Sequence, residues 1–564
     1  MKLSDSQLKM LLLGSSLITY DKLNIAEHEA KEKNISLLET LPILGFISSD
    51  RLGRIVASEL KYNYINLSKE EINKEALSLI PEKVAKHKGI LAFGYTDRGI
   101  KLGMTDPDDI EAIQLVEKKT QKKVIPFYIT RQDLEQTLSK HKGSIEKEFK
   151  QLLKKIHDVE NNIEEKDRIV IKLVDSLLYL SYQQKVSDIH LEPHEDEVFV
   201  RFRIDGVLKD ILKMEKSTYE LMLARIKILS RIRTDDHLKA QDGKLKFETD
   251  IEDIDIRVSV LPITNGEKVV MRILSSQRTK FGLADLGLSE ENLKILLKLI
   301  TNPHGMILVT GPTGSGKTTS IYGVMKLLNK REVNVASIED PVEYNIDGVN
   351  QIQVNEKAGL TFASGLRSIL RQDPDIIMIG EIRDEETADI AVNSALTGHL
   401  VLSTLHTNNA ATTLPRLLDM NIEPFLVAST VNVAIAQRLV RANCVKCRTS
   451  YRLTEEEINI IKSEPNIMKI IQEEGFSEEL EKIRLYKGVG CDACSHTGFK
   501  GRIGIFELLV LDEEIRRLIV NRASSDDLQE AAIKAGMTSM LHDGIIKAFK
   551  GTTTLMEVFR VTRE

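Results

Sequence analysis

A glycine-rich segment carries the clearest chemical signal in this chain. It matches the pattern G-x-x-x-x-G-K-[ST] and consists of Gly311, Pro312, Thr313, Gly314, Ser315, Gly316, Lys317, Thr318 and Thr319. Glycines in such a loop let the backbone approach a nucleotide's phosphates and point its N–H groups at them. We expect Lys317 to reach the β- and γ-phosphates and the Thr318 hydroxyl to hold Mg²⁺. This segment, called the phosphate loop below, predicts that the chain binds a nucleoside triphosphate.

The acidic ends of two further apolar runs could act on a bound nucleotide. Glu381 follows such a run, and a carboxylate beside the phosphate loop can hold the water shell of Mg²⁺. The alternative is a charged strand end that faces solvent, although Gly380 suggests a close backbone approach. The second run ends in Glu339, Asp340 and Glu343. We predict that Glu343 deprotonates the attacking water and that the other two support Mg²⁺ and the loop geometry, the alternative being an acidic turn.

A histidine and four cysteines complete the candidate chemistry. His406 ends another apolar run and could sense the γ-phosphate through Nε2, or serve only as a structural histidine. The only cysteines form two C-x-x-C pairs, which predict a closed and therefore structural zinc site; a dithiol redox pair and four unrelated thiols are the alternatives. A helical insert over 455–471 accounts for the long spacing between the pairs. The ligands would be Cys444, Cys447, Cys491 and Cys494.

These candidate residues need a scaffold that brings strand ends together. Apolar runs at 306–310, 334–338, 376–379 and 399–404 alternate with helical stretches, among them a helix predicted at 320–329 directly after the phosphate loop. This alternation predicts an α/β fold with a parallel sheet covered on both faces, and catalytic groups then belong at the carboxyl ends of its strands.

Composition and pattern divide the chain into four regions. Residues 1–142 read as a small α+β domain, and residues 143–168 as a charged linker helix or tether. Residues 169–279 form a second α+β domain, and residues 280–564 hold the phosphate loop, with the cysteine insert at 441–501. In the second domain Asp188, His190 and Glu192 alternate along one strand, where polar side chains usually face water.

The bulk properties limit the classes of function. A net charge of −6 argues against broad electrostatic binding of nucleic acid. The first residues do not read as a signal peptide, and no apolar run approaches the roughly 18 residues that cross a bilayer. We therefore expect a cytoplasmic protein, with any membrane association made through partners or surface contact.

Further motifs extend the pattern along the chain. They are residues 187–193 (SDIHLEP), 257–259 (RVS) with 266–268 (GEK), 371–375 (RQDPD) running into 381–384 (EIRD), 399–406, and 437–441 (QRLVR) leading to the cysteines. With these motifs in this order, the chain resembles the secretion ATPases that drive type II secretion and type IV pilus assembly. The resemblance runs from about Ser187 to the C-terminus and more weakly through the N-terminal domain.

The resemblance implies a RecA-like P-loop ATPase domain, a PAS-like domain before it, and a homo-hexameric ring. In such rings the nucleotide lies between the two domains, and arginines of the PAS-like domain meet the phosphates. By position these are Arg257 and Arg272; without the family they could merely solvate a sheet face. One departure from the family pattern is Ala240 before Gln241, where Pro is usual, which changes the rigidity of a turn.

The cysteine module and the long N-terminal region are similar to those of assembly and secretion members, whereas retraction motors lack both. Of these two roles we favour pilus assembly, with an inner-membrane platform protein as the partner. N-terminal domains of this type can bind cyclic di-GMP through a repeat that opens with Arg-Leu-Gly. Here the equivalent is Gln7-Leu8-Lys9, which argues against cyclic di-GMP binding and favours docking of a platform partner.

The combined prediction is a motor that hydrolyses ATP with Mg²⁺ and carries structural zinc. Closure of two domains around ATP, and reopening after hydrolysis, would become a mechanical stroke. A nucleic-acid motor is one rival, disfavoured by the acidic balance and by the lack of an aromatic and basic stripe. A nucleotide-gated scaffold that does not hydrolyse ATP is another, and the acidic segment at 339–343 argues against it.

Overall fold

The computed structural model describes residues 5–14, 18–33, 36–67, 70, 72–80, 82–97, 99–159, 162–249, 253–274, 282–473 and 480–562. The chain divides into two compact units. The first comprises residues 1–202 and 209–273, and the second comprises residues 203–208 and 274–564.

The first unit opens with helices around a small sheet. The helices are α1 (Asp5–Gly14), α2 (Tyr20–Lys33), α3 (Leu37–Ile43), α4 (Ser49–Leu60), α5 (Lys74–Ser78), α6 (Glu82–Lys88), α7 (Ile110–Thr120) and α8 (Arg131–Asp158). Strands β1 (Ile90–Thr96), β2 (Gly99–Met104) and β3 (Val124–Tyr128) form a three-stranded sheet in that order. The first pair is antiparallel and the second parallel, so this region is α+β as predicted.

The rest of the first unit is a second α+β arrangement. It contains α9 (Ile163–Gln183), β4 (Asp188–Pro193), β5 (Glu197–Ile204), β6 (Val207–Glu215), α10 (Lys216–Leu229), β7 (Gln241–Glu248), β8 (Asp253–Ile263) and β9 (Gly266–Leu274). The six strands form one sheet in the order β6-β5-β4-β9-β8-β7. Strand β8 alternates between buried and exposed positions, as expected for a strand with one face on a core.

The second unit is built on a seven-stranded sheet. Its elements up to the cysteine insert are α11 (Glu290–Leu299), β10 (Gly305–Thr310), α12 (Lys317–Leu328), β11 (Val335–Glu339), β12 (Val349–Gln353), α13 (Phe362–Leu370), β13 (Ile376–Ile379), α14 (Glu385–Leu396), β14 (Leu400–Leu405), α15 (Thr413–Asp419), α16 (Pro424–Thr430) and β15 (Val431–Asn443). With β18 (Phe499–Val510) the strands take the order β12-β11-β13-β14-β10-β15-β18. All neighbours pair in parallel except β15 with β18, which closes one edge antiparallel.

Alternate residues of each central strand enter different cores. In β10, Met306 and Leu308 belong to the apolar cluster on one face of the sheet, while Ile307 and Val309 belong to the cluster on the other. Every residue of this strand is buried, which explains why its sequence is apolar throughout instead of alternating. The predicted parallel sheet, covered on both faces, is confirmed.

The cysteine insert lies between β15 and β18. It contains β16 (Arg448–Arg452), α17 (Glu455–Ser463), α18 (Pro465–Glu473) and β17 (Arg484–Gly488), with β16 and β17 paired antiparallel. The single helix predicted over 455–471 is two helices, because Pro465 lacks an N–H and fits the first turn of α18 instead of continuing α17. The chain ends with α19 (Glu513–Val520), α20 (Ser525–Lys534), α21 (Met540–Phe549) and α22 (Leu555–Thr562).

Two of the predicted domain limits fall inside helices. Residue 142 lies within α8, and residue 168 lies within α9. The domain limits stay a prediction. Within the described ranges, no helix is both long enough and apolar enough to cross a bilayer.

Candidate nucleotide site and cysteine cluster

The phosphate loop joins the end of β10 to the start of α12 through a backbone that needs glycine. Gly311, Gly314 and Gly316 have φ angles of 142°, 81° and 93°, which lie in the region that favours glycine. A Cβ on Gly311 would also lie 2.5 Å from the carbonyl oxygen of Gln437. The helix starts at Lys317, and none of the described side chains caps it. Its first N–H groups therefore point at the place where an anion would bind.

Lys317 folds back over the loop. Its Nζ donates to the carbonyl oxygens of Gly311 and Pro312 at 2.7 and 3.3 Å. Burial lowers the pKa of Lys317, while the charge of nearby Glu381 acts in the opposite direction. The ammonium group thus bonds to carbonyl oxygens of the loop, which phosphate oxygens could replace.

Glu381 lies at the carboxyl end of the sheet, beside the phosphate loop. Its Oε1 accepts a hydrogen bond from Arg383 at 2.5 Å, and its Oε2 lies 3.3 Å from Nε2 of His406. The contact with Glu381 raises the pKa of Arg383. The close backbone approach predicted at Gly380 is present, since a Cβ there would lie 3.2 Å from the Cα of Glu339. The structure therefore brings Lys317, Glu381 and His406 together; their roles stay predictions.

The loop that carries His406 is fixed at both ends. The Thr407 N–H donates to Oγ1 of Thr310, the last residue of β10, at 2.9 Å. Further along, the Ala410 N–H donates to the buried carboxylate of Glu507 at 2.7 Å, and burial raises the pKa of Glu507. Sequence reasoning missed Arg383 and Glu507 as individual residues, although Arg383 lies inside the EIRD motif.

Glu339 is held in a buried hydrogen-bond network. Its Oε2 accepts from the hydroxyl of Tyr322, and its Oε1 accepts from Ser337 at 2.6 Å and from Gln351 at 3.2 Å. Only 2% of Glu339 is exposed. Because both carboxylate oxygens are engaged, this geometry favours the loop-supporting role for Glu339 over direct contact with Mg²⁺.

Glu343 and Asp340 lie on the loop that follows β11. The Glu343 N–H donates to the Tyr322 hydroxyl at 3.4 Å. Because Tyr322 belongs to α12, this bond connects the acidic loop to the helix that follows the phosphate loop. The Tyr344 ring packs edge-on against the Tyr322 ring, with centroids 4.6 Å apart. Asp340 is exposed, and its charge helps to raise the pKa of Arg383 after the larger effect of Glu381. Tyr322 thus contacts the backbone of the acidic loop, and the Asp340 side chain of the same loop is exposed to solvent.

Arg257 and Arg272 lie on β8 and β9 of the first unit. Arg272 is opposite Asp188 in the sheet register, and its Nε donates to the Asp188 carboxylate at 2.9 Å. Asp188 and His190 are only 5% and 9% exposed. The expectation that the polar residues of β4 face water is wrong for these two, because both are buried. The contact of both arginines with a nucleotide's phosphates stays a prediction.

The four cysteines converge as the C-x-x-C pairs predict. Their Sγ atoms lie within 4.8 Å of one another, with Cys444–Cys491, Cys447–Cys494 and Cys491–Cys494 separations of 3.8, 3.9 and 3.8 Å. A tetrahedral zinc with Zn–S bonds of about 2.3 Å requires sulfurs about 3.8 Å apart. Burial raises the pKa of Cys447 and Cys491, whereas at Cys494 burial is outweighed by hydrogen bonds from the backbone of Cys491 and Gly498, which lower the pKa of Cys494, so the fit to zinc rests on the sulfur positions. The cluster therefore fits zinc.

Replacing Cys491 with Ser tests the zinc prediction with the least damage to packing, because Cys491 is the least buried of the four cysteines. We expect the unchanged chain to hold one zinc ion per chain after dialysis, and Cys491→Ser to lose most of it, since a serine hydroxyl is a poor substitute for a thiolate. Elemental analysis and thiol titration of the native protein measure this. A metal-free wild-type chain with four reactive thiols would contradict it.

Comparison with known proteins places these features in a family. A model of the Type II/IV secretion system protein family matches residues 163–560, which include the phosphate loop, both acidic segments and the cysteine cluster. The chain belongs to this family. A model of the MshEN domain matches residues 60–148. The resemblance drawn from the motifs is confirmed, as is the fold class of an ATPase domain preceded by smaller domains.

Relatives in this family carry two kinds of name. Type IV pilus assembly ATPase PilB of Myxococcus xanthus is 35% identical over 561 residues, which cover 97% of each chain. Type II secretion system protein E of Pseudomonas aeruginosa is 44% identical over 401 residues, covering 71% of this chain and 77% of its own. The X-ray structure of the Legionella pneumophila ATPase DotB aligns with a TM-score of 0.50 at 21% identity and covers 69% of this chain and 94% of DotB. The last likeness supports the fold alone.

Proposed function

We propose that this chain is the ATP-hydrolysing motor of type IV pilus assembly. The observation that carries the proposal is the match to the pilus assembly ATPase PilB, which extends over 97% of both chains. The match to type II secretion system protein E covers 71% of this chain. The match to PilB includes the N-terminal region, where contacts with partners would differ between pilus assembly and secretion. This favours the pilus role.

In the proposed reaction, the phosphate loop and the start of α12 bind the triphosphate, and Lys317 moves from its carbonyl partners to the phosphate oxygens. Glu343 accepts a proton from the attacking water. Thr318 and Glu381 would hold Mg²⁺, which neutralises charge on the β- and γ-phosphates when it is bound. His406, in contact with Glu381, is placed to respond to loss of the γ-phosphate.

The remaining roles rest on the family resemblance. Arg257 and Arg272 stabilise the charge that develops on the phosphates in a homo-hexameric ring. Zinc at the cysteine cluster is structural and holds the insert between β15 and β18. The ring works in the cytoplasm against an inner-membrane platform protein, and closing and reopening around ATP drives the addition of pilin subunits.

Two measurements test the proposal. The purified chain should form a hexamer by light scattering and release phosphate from Mg–ATP. Deletion of its gene in the source organism should remove surface pili and leave protein secretion intact. Loss of secretion with normal pili would show that the chain acts in type II secretion and not in pilus assembly. Assembled rings that bind ATP and never hydrolyse it, even with the platform protein present, would overturn the motor function itself.

A further inference from the structure

Gln437 contacts the phosphate loop from the neighbouring strand β15. Its Nε2 donates to the carbonyl oxygen of Ser315, inside the loop, at 2.8 Å. Its Oε1 accepts from the hydroxyl of Ser320, in the first turn of α12, at 2.6 Å. Only 1% of Gln437 is exposed, so neither bond competes with water. One amide thus joins the body of the loop to the helix that follows it.

The loop also packs closely around the same residue. A Cβ on Gly311 would lie 2.5 Å from the Gln437 carbonyl oxygen, and a Cβ on Gly316 would lie 3.0 Å from its Nε2. Both ends of the glycine-rich turn therefore rest against Gln437. Glycine loses more conformational freedom on ordering than any other residue, so a loop with three positive-φ glycines needs an external template to hold one conformation.

The position of Gln437 is rigid because β15 is an inner strand of the sheet. Gln437 lies in β15 between β10, which leads into the phosphate loop, and β18, where its register partner is Phe506. The amide is also chemically specific. It donates at one end and accepts at the other, which a carboxylate or an apolar side chain of the same size cannot do.

We infer that Gln437 is a positioning residue for ATP: it holds the phosphate loop in the conformation that receives the phosphates. The inference rests on the proposed function for the identity of the ligand. Gln437 touches no reacting atom itself, and it acts through the Ser315 carbonyl and the start of α12. Its loss should therefore weaken nucleotide binding as well as turnover, because the loop must then be ordered at the expense of binding energy.

The test compares three changes with a matched control. Gln437→Met keeps the volume and removes both hydrogen bonds, Gln437→Glu replaces the donor by a carboxylate that faces the Ser315 carbonyl, and Ser320→Ala removes one bond only. The control is Thr430→Val, which also removes a buried hydroxyl, one bonded to the Leu426 carbonyl oxygen away from the loop. Each variant is assayed for the KM of Mg–ATP, for kcat and for the rise in Tm that ATP causes.

We expect Gln437→Met and Gln437→Glu to raise KM about 10-fold or more and to shrink the ATP-induced rise in Tm. Ser320→Ala should give a smaller change in the same direction, and Thr430→Val should leave both quantities at wild-type values. A merely structural role would lower the nucleotide-free Tm of Gln437→Met and leave KM and the ATP-induced rise unchanged, and that outcome would overturn the inference.

If Gln437→Met does not fold, the same quantities are compared in Ser320→Ala and Gln437→Glu. If the wild-type chain binds ATP without hydrolysing it, the proposed function fails, and the ATP-induced rise in Tm still decides the role of Gln437.

Discussion

Replacing Lys317 with Ala is expected to abolish ATP turnover, with kcat lowered about 10³-fold or more. In the structure Nζ of Lys317 bonds to the carbonyl oxygens of Gly311 and Pro312, within the loop itself. Those bonds hold a positive charge at the loop, and in the proposed reaction this charge meets the β- and γ-phosphates. Alanine leaves the glycine backbone and the start of α12 in place but removes that charge. Phosphate release at saturating Mg–ATP measures the effect.

Lys330→Ala is the matched control for this change. Lys330 is exposed and lies just beyond the C-terminal end of α12, so the same substitution there removes a lysine without touching the phosphate loop. Its kcat should equal that of the unchanged chain. Lys317→Ala should also melt within a few degrees of wild type, because the hydrogen bonds that Nζ makes to described residues go to loop carbonyls. Normal phosphate release from Lys317→Ala would place the hydrolytic site elsewhere in the chain.

The arrangement of this site follows from features that are local in sequence. The apolar runs at β10, β11, β13 and β14 are short, and helical stretches separate them. That alternation allows only a parallel sheet, and a parallel sheet collects its carboxyl ends at one edge. Glu381 and His406 could therefore be expected near Lys317 before any coordinates were known. The sequence signal of the cysteine cluster is similarly local, because each C-x-x-C pair places two thiolates on one turn.

The features that sequence reasoning could not predict depend on contacts between residues far apart in the chain. Ser337, a partner of Glu339, lies two residues away, but the other two partners come from α12 and β12, so the residues near Glu339 do not indicate that both of its oxygens are engaged. Asp188 is buried, and its partner Arg272 lies far along the chain. In the sequence Gln437 is only part of a motif, yet one of its hydrogen bonds reaches Ser315 in the phosphate loop and the other reaches Ser320 in α12. The charged stretch at 143–168 was read as a linker helix or a tether, and it is helical up to Asp158 in α8 and again from Ile163 in α9. The charge pattern did not show where these helices begin and end, because it marks exposure.

Glu343→Gln is expected to leave ATP binding intact and to lower kcat by about 10²- to 10⁴-fold, the range for loss of a general base. The amide has the size of the carboxylate and cannot accept the proton of the attacking water. The backbone should hold its place, since the Glu343 N–H still donates to the Tyr322 hydroxyl and the Tyr344 ring still packs on the Tyr322 ring. Single-turnover phosphate release, with a separate measurement of the Kd for ATP, distinguishes chemistry from binding.

Comparison among the three carboxylates of this segment decides whether Glu343 is the base. Asp340→Asn removes an exposed carboxylate from the same loop and should cost much less than Glu343→Gln if Glu343 takes the proton. Glu339→Gln should mainly lower stability, because an amide cannot accept hydrogen bonds at both of the buried positions that Tyr322 and Ser337 occupy. An unchanged kcat in Glu343→Gln beside a large loss in Asp340→Asn would transfer the role to Asp340.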